Sequence, residues 1–140
     1  MPAEVHHPHG DDAMLACGAK LARSFRGREL VFLHGDLGAG KTTLVRGMLR
    51  GLGYPGAVPS PTYTLMETYA TAAFEVVHMD LYRVIEAGEL EMLGVRDFIG
   101  ECLCLVEWPE RGVGVLPRPD IEISITGGGD QRQVSVGLQP

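Results

Sequence analysis

The segment Gly35–Thr42, with the sequence GDLGAGKT, is the feature that most constrains the fold of this chain. It fits the phosphate-binding loop pattern, which requires a buried strand directly before it and a helix directly after it. The apolar run Leu30–Leu33 supplies the strand. The spacing of apolar residues after the loop predicts a helix from about Lys41. These apolar residues are Leu44, Val45, Met48, Leu49 and Leu52. The chain is therefore predicted to be a single α/β P-loop domain with a largely parallel central sheet.

Each residue type in this loop has a physical role in holding a nucleoside triphosphate. Glycines let backbone N–H groups converge on phosphate oxygens without a side chain in the way. Lys41 adds a positive charge, and Thr42 offers a hydroxyl to a magnesium ion that bridges the outer phosphates. The predicted nucleotide-binding residues are Gly35, Asp36, Leu37, Gly38, Ala39, Gly40, Lys41, Thr42 and Thr43.

Composition narrows the class of protein further. A chain of 140 residues corresponds to one domain. Its net charge of −6 and its only two lysines, Lys20 and Lys41, argue against direct binding along a nucleic-acid backbone. The three cysteines form no Cys-x-x-Cys pair and are expected to be reduced thiols in a cytoplasmic protein. No apolar run approaches the roughly 20 residues that cross a bilayer.

The N-terminal residues are expected to precede the folded domain. Pro8 and Gly10 interrupt the histidine-rich stretch that begins at His6, so residues 1–10 are predicted to be a flexible leader and residues 11–140 the domain. A helix is predicted from Asp11, with Asp11 or Asp12 as its N-cap and its end near Gly27.

Two further strands each end in a carboxylate. The stretch from Phe74 to Arg83 alternates as a strand and places Asp80 near its carboxyl end, the position of a Walker B acid. His78 in that strand is expected to be packed or hydrogen-bonded and not a metal ligand. An apolar run from Cys102 leads to Glu107, which gives a second acid at the same sheet edge. Two acids and the Thr42 hydroxyl form an oxygen-rich set that suits Mg²⁺.

The remaining segments are less specific. Pro59 and Pro61 predict an extended loop within residues 58–69, either a simple edge connection or a switch loop whose Thr62 meets the γ-phosphate. Residues 85–100 carry a helical pattern with acids outside. Alternating residues from Ile121 to Val136, interrupted by a Gly-rich turn, predict an antiparallel hairpin at the sheet's edge.

Five stretches together resemble the bacterial TsaE family, formerly called YjeE. They are GDLGAGKTT, SPTYTL, HMDLYR, ELEMLGVRDF and CLVEWPERGVGVLP, and they extend from about Leu30 to about Ile125. Members of this family are the ATPase component of the system that makes threonylcarbamoyladenosine in transfer RNA. The resemblance implies ATP and Mg²⁺ as cofactors, TsaB and TsaD as partner proteins, and contact with transfer RNA only through their complex.

The resemblance also implies roles for individual residues. Lys41 is expected to contact the phosphates, Thr42 and Glu107 to bind the magnesium ion, Asp80 to be the Walker B acid, and Thr62 to act in the switch loop. Lys41, Asp80 and Thr62 are thus the predicted catalytic residues. Either Asp80 or Glu107 could orient the attacking water, and an arginine finger could be Arg83, Arg111 or a partner's residue. A nucleotide-gated adaptor without required hydrolysis and a small-molecule kinase are the alternative functions.

Overall fold

The computed structural model describes residues 4–58, 65–128 and 130–138. In these ranges seven strands form one sheet in the order β1-β7-β6-β2-β5-β4-β3. The strands are β1 (Glu4–His6), β2 (Leu30–His34), β3 (Met66–Ala70), β4 (Glu75–Asp80), β5 (Leu103–Glu107), β6 (Ile121–Gly128) and β7 (Gln131–Leu138). The helices are α1 (Gly10–Ala22), α2 (Lys41–Gly51) and α3 (Gly88–Met92), with 3₁₀ turns at Val95–Asp97 and Pro109–Gly112.

The centre of the sheet is parallel. Strand β2 lies between β5 and β6 and runs parallel to both, and β4 runs parallel to β5. The outer pairs are antiparallel. The predicted α/β fold with a largely parallel centre is confirmed. Because parallel strands end together, the carboxyl ends of β2, β4 and β5 share one edge, where α/β sheets place their ligands.

Both ends of the described chain belong to the sheet. The predicted flexible leader contains β1, in which Glu4 pairs with Val136 and His6 with Val134. The predicted antiparallel hairpin is confirmed as β6 and β7, with β6 beside the parallel centre at β2 and the short strand β1 on the outer side of β7. A strand of three residues is too short for sequence alternation to identify, and its backbone groups complete the ladder of β7.

Helix α1 also differs from its predicted limits. It begins at Gly10, with His9 at the N-cap position and without a side-chain cap. Asp11 and Asp12 instead occupy the first turn, where carboxylates favour the positive end of the helix dipole. The helix ends at Ala22, before the predicted end near Gly27.

Helices α1 and α2 approach each other so closely that glycine is required where they cross. A Cβ atom on Gly47 would overlap the backbone carbonyl of Leu15, and one on Gly18 would overlap the carbonyl of Leu44. The two helices bury Met14, Leu44 and Met48 together against the sheet. This contact fixes the axis of α2, whose first residues form the end of the phosphate-binding loop.

The opposite face of the sheet is covered by a broken helical segment. The helical pattern of residues 85–100 forms two short pieces, since Gly94 takes a φ of 71° and separates α3 from the following 3₁₀ turn. Leu90 and Val95 still point inward and pack on sheet residues such as Val77 and Val106. The sheet is therefore buried on both faces, as its continuous apolar strands predict.

Cys104 belongs to this second core, and Cys17 is buried against the first. All three cysteines are free of disulfides, and burial raises the pKa of Cys104 to about 12. Its thiol is thus protonated and acts as a packing group at neutral pH. Across residues 4–58, 65–128 and 130–138, none of the helices is both long enough and apolar enough to span a membrane.

Candidate functional site

The loop between β2 and α2 has the geometry that its glycines predict. Gly38 and Gly40 have φ values of 81° and 107°, which L-residues with side chains rarely adopt. Inside the loop the Ala39 amide donates to the carbonyl of Asp36 at 2.9 Å. Helix α2 begins at Lys41. The positive end of its dipole therefore faces the space that the loop encloses.

Lys41 is buried in this loop, with only 5% of its surface exposed. Its ammonium donates to the carbonyl oxygens of Gly35 and Asp36. It also lies 3.8 Å from the centre of the Trp108 ring. Burial lowers the pKa of Lys41, while the negative charges of Glu107 and Asp80 oppose that shift. Neutral carbonyls and an aromatic face are weaker partners for an ammonium than a phosphate is, so an arriving phosphate can displace them.

The Trp108 ring is held over Lys41 by an unusual backbone conformation. Trp108 has a φ of 56°, the one positive value among non-glycine residues in the described ranges. Such a conformation costs about 1–2 kcal/mol. The chain turns there between β5 and the 3₁₀ turn that starts at Pro109, and the Tyr82 ring packs 4.9 Å from the Trp108 ring.

Glu107 lies at the centre of a polar cluster at the carboxyl end of β5. Its side chain is 2% exposed. The Thr42 hydroxyl lies 3.3 Å and 3.4 Å from its two carboxylate oxygens. His78 Nε2 lies 2.6 Å from Glu107 Oε2 and holds that oxygen in place. The pairing of β4 with β5 sets Asp80 beside Glu107.

The structure therefore brings four of the predicted site residues together, namely Lys41, Thr42, Asp80 and Glu107. His78 is the hydrogen-bonded strand residue that its sequence position indicates, but its partner could not be predicted. Only the register of β4 against β5 reveals it, because that register places His78 two residue pairs away from Glu107, on the same face of the sheet. Thr62 lies outside the described residues, so the two interpretations of its loop stay open.

Asp80 is half-buried, and its Oδ1 accepts the backbone N–H of Tyr82 at 3.1 Å. Burial raises the pKa of Asp80, and the negative charge of Glu107 adds to that rise. The carboxylate is thus held in a place where its ionised form is costly, as is common for groups that bind cations or handle protons.

Replacing Asp80 with asparagine is expected to raise the thermal unfolding midpoint at pH 7 in the absence of metal and nucleotide. The folded pKa of Asp80 lies above its unfolded value, so the folded state binds the proton more readily and ionised Asp80 lowers the free energy of unfolding. That cost disappears as the pH falls through the raised pKa, so the gain should shrink near pH 4. Thermal unfolding of both proteins in EDTA from pH 4 to 8 measures it. The exposed Asp130→Asn is the control, and a lower midpoint for Asp80→Asn at pH 7 would contradict the prediction.

Arg132, at the start of β7, is a residue of this site that the sequence analysis missed. Its Nε donates to the carbonyl oxygen of Ala39 at 2.9 Å, and its Nη2 lies 3.4 Å from the carbonyl oxygen of Gly38. It lines a cleft of about 420 Å³ between the loop and the β6–β7 hairpin. No short motif could have revealed it, because Arg132 and Ala39 are 93 residues apart in the sequence. Of the two arginines predicted as possible fingers, Arg111 donates to the carbonyl of Val84, and Arg83 is exposed.

A glycine-rich loop between a parallel strand and a helix, with a buried lysine and acids on the neighbouring strands, defines the P-loop class of α/β domains. The family model described as "Threonylcarbamoyl adenosine biosynthesis protein TsaE" matches residues 9–134. The chain belongs to the TsaE family, and the role of that family lies in the biosynthesis of threonylcarbamoyladenosine in transfer RNA.

Individual relatives agree with this assignment. The tRNA threonylcarbamoyladenosine biosynthesis protein TsaE of Haemophilus influenzae is 50% identical over 111 residues, which cover 79% of this chain and 70% of the relative. The TsaE protein of Bacillus subtilis is 38% identical over 120 residues, covering 84% and 75% of the two chains. The crystal structure of Bacillus subtilis YdiB superposes with a TM-score of 0.76 at 27% identity and covers 99% of this chain and 87% of that one. The predicted family is confirmed.

Proposed function

We propose that this chain is an ATPase that works with Mg²⁺ and supports threonylcarbamoyladenosine formation in a cytoplasmic complex with TsaB and TsaD. The observation that carries the proposal is the convergence of Lys41, Thr42 and Glu107 at the end of the glycine-rich loop. Membership of the TsaE family supports the pathway. The net charge of −6 supports contact with transfer RNA through the partners and not directly.

The residues present fit a magnesium ion. Thr42 and Glu107 supply hard oxygen donors within hydrogen-bond distance of each other, and these two residues would hold the cation. The described residues contain no group of three or more His, Cys, Asp or Glu side chains arranged to hold a metal by themselves. Mg²⁺ commonly takes its other ligands from phosphate oxygens and water. When bound, Mg²⁺ would neutralise charge on the outer phosphates.

The side chains divide the remaining work. Lys41 exchanges the carbonyls of Gly35 and Asp36 for phosphate oxygens and stabilises charge as it builds up there. The oxygens of Glu107 are engaged by Thr42 and His78. We therefore assign the attacking water to Asp80, which is less buried than Glu107 and has a raised pKa. A carboxylate with a raised pKa is a better proton acceptor than an ordinary one.

The test is ATP hydrolysis by the purified chain, alone and mixed with TsaB and TsaD, together with formation of the modified nucleoside. We expect slow hydrolysis by the chain alone and at least several-fold faster hydrolysis in the mixture. Arg111 donates to the Val84 carbonyl and does not act as an arginine finger in that position, so a partner protein would supply this group. GTP in place of ATP tests the choice of base. No hydrolysis in the mixture would overturn the ATPase assignment. Normal multiple-turnover product formation with a non-hydrolysable ATP analogue would identify a nucleotide-gated adaptor.

A further inference from the structure

The guanidinium of Arg132 binds backbone carbonyl groups of the glycine-rich loop. Its Nε–H donates to the Ala39 carbonyl at 2.9 Å, and its Nη2 reaches the Gly38 carbonyl at 3.4 Å. We propose that Arg132 is a positioning residue that holds these two carbonyls on its own side of the loop, so that the N–H group of Gly40 is directed to the phosphates. This inference rests on the proposed function, since it concerns how the same site binds a polyphosphate.

The geometry of the peptide group couples each carbonyl to the N–H of the following residue. In a planar trans peptide the C=O and N–H bonds point in opposite directions. An arginine that fixes the Ala39 carbonyl therefore also fixes the N–H group of Gly40 on the other side of the loop. The N–H group of Ala39 donates to the Asp36 carbonyl at 2.9 Å, so the contact with the Gly38 carbonyl steadies this turn of the loop. Two bonds from one rigid, planar guanidinium restrict both peptides together. A positive charge on the carbonyl side also polarises the Ala39–Gly40 peptide and makes the Gly40 N–H a stronger donor to an anion.

The loop needs an external support of this kind. Gly38 and Gly40 have positive φ values, and glycine is the residue with the greatest backbone freedom. Without a restraint, these peptides would lose that freedom only when the phosphate binds, and the lost entropy would weaken binding. A contact that the folded chain makes through its own side chain removes part of this cost.

Arg132 can act as a support because its own backbone is held on two sides. In the β6–β7 ladder it is paired with Gly127. On the other side, the backbone N–H of Arg132 donates to the Pro8 carbonyl at 3.3 Å. Nearby, the backbone N–H of Gly10 donates to the backbone carbonyl of Asp130 at 2.9 Å. The N-terminal segment thus anchors the start of β7, from which Arg132 reaches the loop.

The experiment measures the binding of two probes, Mg²⁺–ATP and Mg²⁺–tripolyphosphate, to the full chain by calorimetry. Tripolyphosphate occupies the phosphate site without a nucleoside. Arg132→Ala is expected to lower the affinity for both probes by a similar factor of roughly 10. This is the lower end of the range for loss of a residue that orients the binding groups without touching the ligand. The affinities of Arg132→Lys should lie between those of Arg132→Ala and the wild type, because one ammonium cannot reproduce the two hydrogen bonds of the planar guanidinium. The matched control is Gln133→Ala, on the next residue of the same strand, which is exposed and should bind both probes normally.

The outcomes separate the possibilities. If Arg132→Ala weakens ATP but leaves tripolyphosphate unchanged, Arg132 contacts the nucleoside directly and the inference is overturned. If it lowers the thermal midpoint while both affinities stay at the wild-type level, its role is structural only, which also overturns the inference. If Arg132→Ala fails to fold, the affinities of Arg132→Lys decide between the outcomes. An equal loss of affinity for both probes supports the proposal, and wild-type affinity overturns it. A wild-type chain that binds neither probe would instead refute the proposed function itself.

Discussion

Replacing Glu107 with glutamine is expected to reduce ATP hydrolysis by roughly 100-fold while leaving the chain folded. The amide keeps the shape of the side chain and can still bond to His78, but it removes the negative charge next to Thr42 that would hold the cation. Loss of one preorganised charged group at such a site costs roughly 100-fold or more in rate. The measurement is the hydrolysis rate at saturating ATP over a series of Mg²⁺ concentrations, where the variant should also need more Mg²⁺ for half its maximal rate.

Glu101→Gln is the matched control for this variant. Glu101 is an exposed acid just before the opposite end of β5, so the same chemical change there should alter the rate by less than about 2-fold. Thermal unfolding of both variants separates a folding defect from a catalytic one. Wild-type hydrolysis and wild-type Mg²⁺ dependence in Glu107→Gln would remove Glu107 from the proposed cation site.

Replacing Gly47 with alanine is expected to lower the stability of the chain by about 2 kcal/mol. An alanine in the middle of a helix normally stabilises it by roughly 1 kcal/mol relative to glycine. Here the added Cβ would overlap the Leu15 carbonyl, and forcing an atom into a packed contact costs about 1–3 kcal/mol or more. The overlap involves backbone on both sides, so no flexible side chain can move away, and the steric term should exceed the gain in helix propensity.

Urea unfolding of the wild type and Gly47→Ala measures this difference. Gly88→Ala is the matched control, since Gly88 lies in α3 with open space around its Cα and should tolerate the change or gain slightly. A Gly47→Ala chain as stable as the wild type would mean that α1 and α2 can separate at little cost. The two helices would then not fix the start of α2 as proposed.

The sequence predicts those parts of the site that depend on local spacing. The loop glycines, Lys41 and Thr42 follow one another in a fixed pattern, and the strand and helix that flank them are required by it. Asp80 and Glu107 were predictable as well, because each follows a buried strand and parallel strands end at a common edge. The fold class follows from the same strands, and the structure confirms it.

The parts that could not be predicted depend on contacts between distant residues or on single backbone angles. Strand β1 depends on its backbone hydrogen bonds to β7, which is distant in the sequence. Its three residues are also too few to show a periodic pattern. The apolar pattern of residues 85–100 is helical, yet the left-handed conformation of Gly94 divides it. Nothing in the sequence around Arg132 distinguishes it from any other residue of a strand. Its role depends on the β6–β7 hairpin lying beside the loop.

The position of Trp108 gives the chain an optical property of its own. The protein has a single tryptophan, and that indole lies 3.8 Å from the ammonium of Lys41. When tryptophan is excited selectively, the emission of the chain therefore reports the surroundings of this one indole beside Lys41. Departure of the ammonium from the ring changes the local field that sets the emission wavelength. The natural chain thus carries an unlabelled reporter through which stopped-flow mixing can follow occupation of the loop in real time.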